Sequence, residues 1–62
     1  MDKNMLTTKE VTLLSDLLSQ EESVCKKARL YSRITTNQKL ADDLNRIADN
    51  HQSRFNALLE LL

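Results

Sequence analysis

The chain has no glycine, no proline and no tryptophan, and its 62 residues include a single cysteine. Tight β-hairpin turns lean on Gly, Asn-Gly or Pro, so a strand-rich fold has no turn chemistry to build on. Tyr31 and Phe55 are the only Tyr and Phe, so the aromatic enrichment of strands is missing as well. The lone Cys25 excludes an intrachain disulfide and fits a reducing compartment better than a secreted scaffold. An excess of one charge is also missing. Nine basic residues balance nine acidic ones, so no overall field draws the chain to nucleic acid or anionic lipid. "MDKNMLTTKE" lacks the apolar centre of a signal peptide, and no run approaches the ~20 apolar residues of a membrane span. These absences leave one all-α domain over 1–62, expected in the cytoplasm, neither secreted nor in a membrane.

What is present reads as two helices. "LTTKEV" opens the first: Thr7 followed by Glu10 is a capping box, with Leu6 and Val11 as its hydrophobic staple. Residues 1–6 are expected to be loosely ordered. Apolar residues then recur at Val11, Leu14, Leu17, Leu18, Val24, Cys25, Ala28 and Tyr31, the steps of three and four that make one helix face. Glu10 and Asp16 lie early and Lys26, Lys27, Arg29 and Arg33 late, as the helix dipole prefers. Glu22 and Lys26 form an i,i+4 pair in the favourable order. Thr35, Thr36 and Asn37 compete for their own backbone, which marks a turn and a new N-cap. The second stripe is Leu40, Leu44, Ile47, His51, Phe55, Leu58 and Leu62, with Asp42 and Arg46 as a further i,i+4 pair. The expected helices run over about 8–34 and 37–61.

Folded back on each other, two such helices bring together residues whose numbers add to a constant, about 72 for a turn centred on Thr36. Leu14 then faces Leu58, Leu18 lies near Phe55, Cys25 faces Ile47, and Ala28 faces Leu44. Glu21, the polar break in the first stripe, falls opposite His51, the polar break in the second. Each helix would be about 38 Å long at ~1.5 Å per residue. Two helices cannot cover both stripes, so the hairpin is expected to dimerise into an antiparallel four-helix bundle, with Leu14, Leu18, Cys25, Ala28, Leu44, Ile47, Phe55 and Leu58 in its packing. A chain this short also needs a partner, a metal or disulfides to be comfortably stable.

Glu21 and His51, both expected to be largely buried, are costly to bury alone, and as a core polar pair they would hydrogen-bond and fix register. Carboxylate and imidazole are also ligands for a divalent transition metal, and a two-fold dimer could gather two of each. No cofactor is expected otherwise. Catalysis is not expected, because a bundle core offers no glycine loop and no oxyanion donor beyond the helix starts, and a core cysteine is usually a small hydrophobe. Lys26, Lys27, Arg29 and Arg33 are candidate phosphate contacts with Tyr31 stacking beside them, but basic residues late in a helix are explained by its dipole. A nucleic-acid-binding hairpin is therefore the alternative to a self-associating one.

"LTTKEVTLLSDLLSQEES" resembles the opening helix of the spore coat protein F-like (coat-F) family, ferritin-like helical proteins of spore-forming bacteria. "LADDLNRIADNHQSRFNALLELL" is similar to that family's second helix. The resemblance extends over residues 6–62, and Glu21 and His51 fall where those helices carry inward polar residues. It implies a structural or assembly protein of the spore coat or the sporulating cell, with itself and other coat or sporulation proteins as partners. Ferritin-like di-metal bundles carry Glu-x-x-His on a helix, whereas here the residue three before His51 is Ala48.

Overall fold

The structure, a computed structural model, describes residues 6–62 as two α-helices, α1 (Thr8–Ile34) and α2 (Gln38–Leu59), with no strand among the described residues. The expected loose order of 1–5 lies outside the described residues. The start of α1 is fixed by the capping box. Thr7 Oγ1 accepts from the Glu10 backbone N–H at 3.1 Å, and Glu10 Oε1 accepts from the Thr7 N–H at 2.9 Å. Those two bonds satisfy donors that the first turn cannot pair internally. The bond from the Thr7 backbone N–H is the main cause that holds the Glu10 carboxyl below its ordinary pKa, and the Thr7 side chain adds to it.

The corner between the helices is built without a glycine. Thr35 and Asn37 are both extended, at φ −67°, ψ 143° and φ −89°, ψ 115°, so the chain turns without any left-handed residue among those described. Thr35 Oγ1 accepts from the Asn37 N–H at 3.2 Å, and Asn37 Oδ1 caps α2 by accepting from the Leu40 N–H at 2.8 Å. Asn37→Ala is expected to cost about 0.5–2 kcal/mol, with Asn37→Asp near wild type. Thermal melts at matched protein concentration check this; an unchanged alanine variant would show that the cap is not what starts α2. The far end of α2 departs from the sequence reading. The helix stops at Leu59 rather than 61, and Leu61 and Leu62 bond back three residues, to the carbonyls of Leu58 and Leu59. No glycine follows to close an αL cap, so the last turn tightens instead.

Two expected ion pairs fare differently. Lys26 and Glu22 approach to 3.8 Å on a well-exposed surface, a pair of small energetic weight. Arg46 turns away from Asp42 and bonds Asp43 at 2.5 Å, while Lys39 reaches the same carboxylate at 3.0 Å. Asp42 instead accepts from Gln38 at 2.8 Å. Asp43 sits between two cations, one turn before and three residues after it, so it outcompetes Asp42. The hydrogen bond from Lys39 is the main reason its pKa is depressed.

The level of the helices is as expected, but the face of α2 that is most covered is not. The buried residues among those described are Ala28, at 5% exposure, and Ala48, at 0%. Ile47 is instead 41% exposed, and the Cys25 thiol lies against Gln52. The seam is thus rotated one position, from Ile47 towards Ala48. Small side chains permit the closest approach of two helix axes, whose spacing of ~8–10 Å depends on what stands between them. The result is a single layer of two helices, with extents of 47 × 18 × 9 Å.

Candidate functional site

On α1 the covered row is Leu14, Leu18, Glu21, Cys25 and Ala28; on α2 it is Ala41, Leu44, Ala48, His51, Phe55 and Leu58. Both follow the alternating steps of three and four that keep one face towards a partner helix. Glu21 and His51 stand on these rows, and the hairpin closes His51 Nδ1 against Glu21 Oε2 in a short hydrogen bond. An ionised carboxylate can only accept, so the bond is one in which the Nδ1–H donates. Arg54 Nη1 lies 3.5 Å from the same nitrogen, at the margin of the pair. The two side chains retain 19% and 21% of their exposure. They are largely buried, as expected, though a one-layer hairpin leaves each a margin open to water.

The pair locks the helices in register, since sliding either helix by a turn (about 5.4 Å) breaks the bond. As a metal site it offers two donors per chain, and among the described residues no cluster of three or more His, Cys, Asp or Glu could hold an ion. A di-metal centre of the ferritin-like kind does not fit. The position for the carboxylate of Glu-x-x-His is Ala48, whose methyl group is sealed in the seam at 0% exposure.

Cys25 does not join the pair. Its thiol lies 3.7 Å from Gln52 Oε1, at an open depression of about 220 Å³ lined by Glu22, Cys25, Lys26, Gln52 and Phe55. The basic cluster is divided as well. At about 100° per residue, Lys26, Arg29 and Arg33 share one side of α1, while Lys27 and Tyr31 stand on another. Lys26 is paired with Glu22. Arg29 donates to Asn45 Oδ1 at 3.0 Å and to Asp49 Oδ1 at 2.8 Å, and the bond to Asp49 is the main cause that raises its pKa.

That Arg29 bridge is the feature the sequence reading missed. With the Ser32 hydroxyl 3.2 Å from Asn45 Oδ1 and 2.6 Å from the Arg29 carbonyl, it forms a polar border along one edge of the seam. Its signal is present as Asn45, Asp49 and Gln52, spaced four and three apart beside the apolar row. Among the described residues, no helix is long and apolar enough to cross a membrane. Compared with known proteins, the chain matches no family model, no curated protein and no solved structure.

Proposed function

We propose that this chain is a non-catalytic assembly module. It acts as a homodimer in which two hairpins pack into an antiparallel four-helix bundle, in the manner of the spore coat proteins its sequence resembles. The observation that carries this reading is how little one copy buries. Among the described residues two alanines are buried, while Leu17, Val24, Leu40 and Ile47 remain 40–48% exposed along full-length helices. Domains generally need two packed layers around a core, and a second hairpin supplies the missing one. The Glu21–His51 bond supports a structural role, since a polar pair inside an apolar row specifies register without needing a substrate.

Sedimentation equilibrium between about 1 and 100 µM tests the proposal. A dimer is expected, with helical circular dichroism falling as dilution populates the single chain, because folding and association are linked. A stable, fully helical monomer across that range would overturn it. For the coat role, a fluorescent fusion in a spore-forming host should collect at the forespore surface. A diffuse signal throughout sporulation would refute that part.

A further inference from the structure

The two open faces of the hairpin differ in character. On one lies the Arg29–Asn45–Asp49 bridge with the Cys25–Gln52 contact. These polar groups already have partners and face water; Val11 and Leu59 are the apolar exceptions, at the open end. On the other, α1 contributes the heptad-spaced row Leu17, Val24, Tyr31 and α2 contributes Leu40 and Ile47, with Leu61 in the turn beyond its end, all 40–51% exposed. Arg54 interrupts the second row next to His51. The numbering places Glu21 and His51 at the edges of the seam that border this apolar face. We infer that the second copy seats on this face and not on the Arg29 face, so that the Glu21–His51 pairs of two copies come together at the centre of the dimer.

The choice of a second copy as the occupant rests on where the pair stands. Glu21 is the middle residue of α1, which spans 27 residues from Thr8 to Ile34. A two-fold axis across the helices that overlaps them over their full length must therefore pass at the level of Glu21, and an axis along the bundle leaves every residue at its own level. Either way the polar level meets itself and the apolar rows meet apolar rows, the self-complementarity an isologous interface requires. Two copies carry no net charge, so no long-range repulsion opposes the docking.

The inference depends on the homodimer reading, and its test separates the two. Leu30 is 50% exposed but lies on the back of α1, about 100° beyond the Leu17–Val24–Tyr31 row. Val24→Asp is expected to weaken dimerisation roughly 100-fold or more in sedimentation, because it places an unpaired carboxylate in the interface. Leu30→Asp should leave it within a few-fold. Should Val24→Asp fail to fold, single cysteines in a Cys25→Ser background give the same answer. Val24→Cys should react with a thiol reagent at least ten-fold more slowly in the dimer than after dilution to monomer, and Leu30→Cys at one rate throughout. The reverse pattern, or equal effects at both positions, overturns the choice of face and leaves the dimer standing. A monomeric wild type overturns the dimer itself, and the inference with it.

Discussion

Ala48→Leu is expected to lower stability by about 1–3 kcal/mol, the usual cost of forcing extra methylenes into a packed site. Ala48 is fully buried where α2 lies against α1. A leucine there must either push the helices apart, which strains the Glu21–His51 and Arg29–Asn45 hydrogen bonds, or adopt a poor rotamer. Ala57→Leu, at an exposed position of the same helix, should stay within about 0.5 kcal/mol. Urea unfolding at one fixed protein concentration distinguishes them. If Ala48→Leu equalled or exceeded wild type, the alanine seam would be wrong, and the register centred on Ile47 would be restored.

The second large effect concerns the polar pair. Glu21→Leu strands an imidazole and His51→Leu strands a carboxylate, each change expected to cost about 1–3 kcal/mol. The double variant makes both rows continuously apolar and should cost clearly less than the two single losses combined, with a coupling of about 0.5–3 kcal/mol. Its stability is expected at or above that of wild type, since replacing a buried polar pair by apolar residues is often neutral or better. Strict additivity in the same unfolding measurement would mean that the two side chains do not share their energy.

Much of the fold was legible in the residues. Thr7 and Glu10 marked the start of α1, and Thr35 to Asn37 marked the corner, because each of these side chains competes locally for backbone groups. The level at which Glu21 meets His51 followed from the position of that corner. The rotation of α2 did not. Ranking positions by apolar size favoured Ile47 over Ala48, whereas closest approach is decided by what is small. The Arg29 bridge was obscured by the same habit: an arginine late in a helix is well explained by the dipole, so its reach across to α2 was not needed to account for it. Asp42 and Asp43 were likewise indistinguishable until Lys39 and Arg46 could be seen converging on one carboxylate.

The three-residue corner also sets an order in time. Every contact between the helices closes a loop through Thr35–Asn37, and the loops lengthen steadily from Ser32–Asn45 to Cys25–Gln52 and Glu21–His51. Closure entropy grows with loop length, so the hairpin zips from the corner outward and opens from the free ends inward. The polar pair at mid-length is then the last specific interhelical bond to form and the first to be lost, while the alanine seam nearer the corner persists. Backbone amides around Ala28 therefore sit in the slowest-exchanging part of the chain, and those near Thr8 and Leu59 in the fastest.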